Sequence, residues 1–163
     1  MTEPAKAYLA AMIDAEGCVG LAAVKSRTAL PEFPLGFIPR VLVTNSHLGL
    51  LELIKSVVGY GTLYHAKKNS TNPNWSPIHR WTAAANHARQ LLADVLPYLV
   101  IKRRQAELVI AFPKRTARGA GQGTVYATQR AMFDECAALN LRGLKLAAVT
   151  TFPADHPLTR RTP

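Results

Sequence analysis

Two carboxylates, Asp14 and Glu16, stand at the end of a short alanine-rich segment and just before Gly17. If residues 4–16 form a helix, Glu16 lies at its C-terminal end, where the dipole contributes about half a negative charge. A carboxylate is unfavourable there unless a cation is bound nearby. The alternative is that both acids only cap backbone groups before a strand. The acidic pair by itself leaves the two interpretations open.

The remaining residues that could bind metal or form a disulfide show no paired motif. Cys18 and Cys136 are far apart in the chain, as expected of free buried thiols in a reducing compartment. The histidines occur singly, with no spacing typical of a zinc site: His47, His65, His79, His87 and His156. We therefore expect any metal to be a hard cation held by oxygen ligands.

The charge of the chain is strongly positive, with 20 Lys and Arg against 10 Asp and Glu and a net charge of +10. This excess indicates a polyanionic partner, which could be DNA, RNA or a membrane surface. The length predicts one domain over residues 1–150, followed by a loosely ordered tail over 151–163. No apolar run approaches the roughly 20 residues that span a bilayer, and no export signal is evident. We expect a soluble intracellular protein of a bacterial or archaeal cytoplasm or an organelle.

The helix that carries Asp14 and Glu16 has two faces, and we expect both to pack against other elements. Leu9, Met12 and Ile13 form an apolar stripe. A second face has unusually small side chains, formed by Ala7, Ala10, Ala11 and Asp14. Small residues allow another helix to approach closely, so this face predicts a helix–helix contact.

Apolar alternation predicts strands over about 18–27, 37–44, 61–68 and 78–83. Asn45 or Ser46 is expected to cap a helix that ends at Gly59. Asn86 is expected to cap another through residue 96, and Pro97 to start one that runs to residue 112. A last helix is predicted over 125–139. The order predicts an α+β fold with an αββαββα core: an antiparallel four-stranded sheet with helices on one face, the other face open, and additional C-terminal helices.

The segment Leu9–Gly17 resembles the nine-residue signature of the LAGLIDADG homing endonucleases. It matches at the Leu, Ala, Ile, Asp, Ala and Gly positions. Ala11, Met12 and Glu16 differ from the signature, yet they keep a small residue, a large apolar residue and a carboxylate respectively. The motif occurs once in this chain.

The resemblance extends to about Lys145 through three later passages. Residues 43–45, 50–55 and 59–61 are similar to the family's passage from second strand to helix. Residues 96–106 resemble its segment from proline to lysine, and residues 139–145 resemble its basic C-terminal turn. Because the matches follow the same order, the chain is identified as similar to this family. Since the motif occurs once, the similarity is to the single-motif members.

The resemblance implies a saddle-shaped sheet in the DNA major groove and cleavage of both strands that depends on Mg²⁺ or another divalent cation such as Mn²⁺. Single-motif members act as homodimers on near-palindromic sites, with the motif helices, and here Ala7, Ala10, Ala11 and Asp14, at the interface. Glu16 would bind the metal, helped by the Ala15 carbonyl. Asn45 would order the attacking water and Lys102 would polarise the scissile region. The family's basic residue after the Asn45 position stays unassigned.

Alternate side chains of each strand can reach bases, whereas the C-terminal basic turn is expected to hold phosphates. The resulting DNA-binding candidates are Lys25, Ser26, Arg27, Arg40, Tyr64, Lys68, His79 and Arg80 on the strands, and Arg142 and Lys145 in the turn.

Two functions follow from the resemblance. The first is a homodimeric, metal-dependent, site-specific DNA endonuclease. The alternative is a LAGLIDADG-derived protein that binds nucleic acid without cutting it, either an RNA maturase or a regulator. Retention of Glu16, Asn45 and Lys102 together favours the enzyme. A basic DNA-packaging protein would not need acidic residues at a helix end.

Overall fold

The computed structural model describes residues 1–25, 33, 35–65, 76–113 and 122–140. The helices in these ranges are α1 (Glu3–Glu16), α2 (Leu48–Val58), α3 (Ala85–Val95), α4 (Arg103–Ala111) and α5 (Gln122–Leu139). The strands are β1 (Gly17–Lys25), β2 (Leu35–Asn45), β3 (Thr62–Tyr64) and β4 (His79–Ala84). A 3-10 turn, Leu96–Tyr98, lies between α3 and α4. None of the helices described is long and apolar enough to cross a membrane.

The strands form one antiparallel sheet in the order β1-β2-β4-β3. Val19 of β1 lies opposite Val41, and Val43 lies opposite Trp81 of β4. The predicted α+β fold, with its αββαββα core and additional C-terminal helices, is confirmed.

One face of the sheet carries the core. Val19, Val41 and Trp81 are each 0% exposed, and helices α1, α2 and α3 contact this sheet. Full burial of each large apolar side chain stabilises the fold by about 1.5–3 kcal/mol. Trp81 therefore packs in the core of the domain.

The other face of the sheet, which we call the open face, carries the alternate side chains. It has no fully buried residue among the strand positions described, and its exposed members include Arg40, Tyr64 and Arg80. The pattern is the one expected when one side of a sheet packs on helices and the other is left for solvent or a ligand.

The free edge of β1 is covered by α5. The Asn140 side chain donates to the Val19 carbonyl at 2.9 Å, where a neighbouring strand would otherwise pair. Gly20 permits this approach, since a Cβ at that position would lie 3.3 Å from the Asn140 amide nitrogen. Phe133 of α5 completes the contact against Phe37, with ring centres 4.8 Å apart.

Three predicted boundaries are wrong. His47 caps α2 through its Nδ1, which accepts from the Leu50 N–H at 3.3 Å, in place of Asn45 or Ser46. Helix α3 begins at Ala85, so Asn86 lies inside it. The helix predicted from Pro97 to residue 112 is divided, because the backbone N–H groups of residues 100–102 donate to a side chain of α1.

Both cysteines are free, as predicted. Cys18 is half-buried and Cys136 is buried on α5. Burial raises the pKa of the Cys136 thiol from 9.0 to about 11.

Candidate active site and nucleic-acid face

Asp14, near the end of α1, ties that helix to the start of α4. Its carboxylate accepts from three consecutive backbone N–H groups, those of Val100 at 2.8 Å, Ile101 at 3.2 Å and Lys102 at 2.9 Å. Hydrogen bonds to an ionised acceptor are stronger than those between neutral groups. Asp14 therefore fixes the path of the chain that leads into α4.

The Lys102 side chain turns back onto the end of α1, where its Nζ donates to the Asp14 carbonyl. The side chain is partly buried, and burial lowers the pKa of its ammonium group below the ordinary value of 10.5. The charges of Asp14, Cys18 and Glu16 act in the opposite direction on this pKa. Lys102 thus lies within electrostatic range of Glu16, although 86 residues separate them in the chain.

Glu16 is the last residue of α1 and is exposed, as is Ala15 before it. The last turn of the helix contains no basic residue to offset the negative end of the dipole. Asp14 is a capping residue, as one of the sequence-based interpretations held, but it caps the start of α4. The two acids therefore have different surroundings. The Asp14 carboxylate is hydrogen-bonded to backbone N–H groups of the same chain, whereas Glu16 is exposed.

Asn45 is the last residue of β2 and lies at the same end of the sheet. Gly17, which follows Glu16, pairs with Val43, so Asn45 is two residues beyond that pairing. The Asn45 Oδ1 accepts from the His47 N–H at 2.8 Å. The end of β2, which carries Asn45, therefore lies near the point where α1 passes into β1.

Three of the predicted DNA contacts lie on the open face: Arg40, Tyr64 and Arg80. Tyr64 is 57% exposed and lies directly opposite Arg80 across the β3–β4 ladder. Thr44 of β2 lies on the other side of Arg80. A basic and aromatic row therefore crosses this end of the sheet.

Two predicted DNA contacts lie at strand positions that alternate with those of the open face. His79 is only 9% exposed and shares the core face with Trp81, so its prediction as a base contact is wrong. Lys25 follows the alternation of Val19 and Leu21 and is exposed at the end of β1. A shift of one residue in strand register moves a side chain to the opposite face.

Sequence reasoning missed Thr62 and Thr82, which face each other on the open face beside the pair Tyr64 and Arg80. Side chains two residues apart in a strand lie on the same face, so counting two residues from Tyr64 and from Arg80 would have identified both threonines. Five other predicted contacts lie outside the described residues: Ser26, Arg27, Lys68, Arg142 and Lys145.

The set of residues predicted to form the small contact face of α1 needs a correction. Ala10 is 0% exposed within one chain, so it has no surface left for a second helix. Asp14 is occupied by the residues before α4, and Ala7 is half-buried. The outward strip of α1 is instead formed by Tyr8, Ala11 and Ala15.

Comparison with protein-family models finds no match, and comparison with curated proteins finds none either. Solved structures do match. The homing endonuclease I-CvuI, in complex with its target in the presence of 2 mM Ca, is 24% identical with a TM-score of 0.69, over 86% of this chain and 83% of that chain. The archaeal intron-encoded homing endonuclease I-Vdi141I, complexed with DNA, is 16% identical with a TM-score of 0.65, over 85% of each chain.

Proposed function

We propose that this chain, which has the fold of the LAGLIDADG homing endonucleases, is a site-specific DNA endonuclease that cleaves a long near-palindromic site as a homodimer. The observation that carries the proposal is the exposed Glu16 carboxylate at the end of α1, with Lys102 held by Asp14 within electrostatic range of it. The Glu16 carboxylate is not part of the core, since the residue is exposed.

The open face supports DNA as the substrate. The DNA major groove is about 12 Å wide and admits a β-ribbon, whose alternate side chains then meet base edges. Arg40 and Arg80 are the cations that this face presents on the strands described, and Arg pairs well with guanine. A net charge of +10 adds attraction to phosphates that does not depend on sequence.

The residues at the end of α1 fit a hard divalent cation. The Glu16 carboxylate and the Ala15 carbonyl are oxygen donors at the negative end of a helix. Within the described ranges no group of three His, Cys, Asp or Glu side chains gathers, so one chain supplies an incomplete ligand set. A second chain packed on Tyr8, Ala11 and Ala15 would bring a second Glu16 to the same place. A bound Mg²⁺ would supply an acidified water and charge neutralisation.

Lys102 and Asn45 complete the chemistry that the chain itself provides. The Lys102 ammonium, oriented by its bond to the Asp14 carbonyl, would stabilise negative charge that develops on the scissile phosphate. Because the Asn45 Oδ1 is engaged by its own turn, the amide Nδ2 is the group that can orient a water. Partial burial of Lys102 strengthens its electrostatic effect.

A cleavage assay tests this proposal. The DNA joins the two sequences that flank the gene for this chain, and it is incubated with the protein and either Mg²⁺ or Ca²⁺. We expect specific double-strand breaks with Mg²⁺ that disappear in Glu16→Gln and persist in Glu52→Gln, which changes an exposed carboxylate on α2. Tight binding without cleavage in either metal would instead support the non-cleaving nucleic-acid-binding protein. Equal cleavage by Glu16→Gln and the unaltered protein would overturn the assigned role of Glu16.

The homodimer has a separate test by analytical ultracentrifugation. Ala11→Trp places a bulky side chain on the outward strip of α1 and should convert the dimer to monomer. Ala127→Trp makes the same change at an exposed position of α5 and should leave the dimer intact. A monomeric unaltered protein, or a dimer that tolerates Ala11→Trp, contradicts pairing through α1.

A further inference from the structure

His79 is a buried histidine with an unused nitrogen. It is 9% exposed at the start of β4, and its Nδ1 is a buried atom with no hydrogen-bond partner among the residues that the structure describes. Most buried polar side-chain atoms have a partner, so an orphaned one calls for a physical explanation. In a neutral imidazole this nitrogen either donates a proton or presents a lone pair. The lone-pair form is a metal ligand.

His65 lies next to His79, with ring centres 5.8 Å apart and ring planes at 72°. The backbone determines this proximity. Leu63 pairs with Trp81 and Tyr64 with Arg80, where the β3–β4 ladder ends. His65 follows Tyr64 and His79 precedes Arg80, so the end of the ladder brings these two residues close together. The contact between the two imidazoles therefore lies at the end of the β3–β4 ladder.

We propose that His65 and His79 form a two-imidazole binding site for a borderline transition-metal ion such as Zn²⁺. A tetrahedral ion with Zn–N distances of about 2.0–2.1 Å would hold two ring centres roughly 5 Å apart. The observed 5.8 Å is close to this distance, and the exposed His65 ring can rotate to close the difference. Imidazole suits Zn²⁺, Ni²⁺ and Cu²⁺, whereas Mg²⁺ selects oxygen ligands.

The ligands of this site differ from those proposed at Glu16, although Asn45 of β2 lies opposite His79 across the β2–β4 ladder. His65 follows the end of β3 and His79 lies on the core side of β4, whereas Tyr64 and Arg80 point to the open face. With two protein ligands the ion keeps its other positions for water, so it should bind exchangeably. Its structural effect would be to link the residue that follows the three-residue strand β3 to β4, the strand with which β3 pairs in the described part of the sheet.

The test is isothermal titration of the DNA-free full-length protein with Zn²⁺ at pH 7.5, where imidazole is mostly neutral. His65→Ala changes an exposed side chain and should leave the fold intact. We expect its Zn²⁺ affinity at the stronger site to be at least tenfold lower than that of the unaltered protein. His156→Ala, a matched control that also removes one histidine, should bind Zn²⁺ as the unaltered protein does.

A second measurement assigns the ligands directly. In nitrogen NMR of the imidazoles, Zn²⁺ should shift the His65 and His79 resonances together, and Mg²⁺ should shift neither. Glu16→Gln should keep this response, which separates the His pair from the proposed active site. Equal Zn²⁺ affinity in His65→Ala and the unaltered protein, or Zn²⁺ shifts confined to other histidines, would overturn the proposal and leave an edge-to-face ring contact.

Discussion

Asp14 and Lys102 are joined twice: the Lys102 N–H donates to the Asp14 carboxylate at 2.9 Å, and the Lys102 Nζ donates to the Asp14 carbonyl. The first bond sets the backbone of Lys102 and the second sets its side chain. Asp14, two residues before Glu16, therefore determines where the Lys102 ammonium group lies. In this way α1 positions two elements of the candidate site at once.

Asp14→Asn should lower both stability and cleavage. An amide keeps one carbonyl oxygen and loses the charge, so at least one of the three N–H groups of residues 100–102 is left poorly paired. Lost hydrogen bonds to a charged group predict a decrease of about 2–4 kcal/mol in the free energy of unfolding, measured with urea. The control is Asp134→Asn, which changes an exposed carboxylate paired with Arg130 and should have little effect. Equal stability of the two variants would contradict the role given to Asp14.

Lys102→Met should reduce cleavage while it preserves the fold. The change keeps most of the partly buried stem and removes the ammonium group that we propose acts on the scissile phosphate. Loss of one electrostatic stabiliser of a transition state typically costs about 10²–10³ in kcat. Single-turnover cleavage with Mg²⁺ measures the effect, and Lys55→Met on the exposed side of α2 is the control. If the two variants cleave equally fast, Lys102 has only a structural role.

Arg40→Ala should weaken DNA binding at a particular position of the target. Arg40 is exposed on the open face, where its partners on the neighbouring strands are Gly20 and Ala84. We expect a loss of about 1–3 kcal/mol and relaxed preference at one base pair per half-site. Binding to a library of single-base target variants measures both effects.

The control for Arg40→Ala is Arg130→Ala, which removes an exposed arginine from α5. It should leave the base preference unchanged. A uniform loss of affinity across all targets in Arg40→Ala would assign Arg40 to phosphate instead of base.

Because the pKa of the Cys136 thiol is raised, we expect the folded protein to lose stability at high pH. Its pKa is raised to about 11 in the folded chain, whereas an unfolded thiol has its ordinary value of 9.0. Between these values the folded state binds more protons, so the free energy of unfolding falls as pH rises from 9 to 11. The full effect is about 2–3 kcal/mol. Urea unfolding across this range should show the slope in the unaltered protein, and Cys136→Ala should lack that part of it.

The local parts of this fold could be predicted from sequence. Helix α1 and its acidic end follow from a continuous apolar stripe and the halt at Gly17, and both need only neighbouring residues. The strands follow from alternation, which also brought Arg40 and Arg80 to the open face. His79 was misassigned because a single uncertain residue of register separates that face from the core.

Contacts between distant segments could not be predicted. A side chain of α1 determines where α4 begins, because Asp14 takes the N–H groups that a helix from Pro97 would have used. The spacing of His65 and His79 in sequence gives no zinc motif, yet the strand register places them side by side. Ala10 similarly looked available in a helical projection, and only the packing of the sheet shows that it is enclosed.

The bond between Asn140 and the Val19 carbonyl has a consequence for how copies of this protein can associate. A sheet grows by adding strands at an unpaired edge, and uncontrolled growth of this kind leads to fibres. On the β1 side an incoming strand must first displace Asn140, and on the other side β3 offers only three residues. Copies of the chain are therefore directed away from strand exchange, and a chain truncated before Asn140 should aggregate more readily.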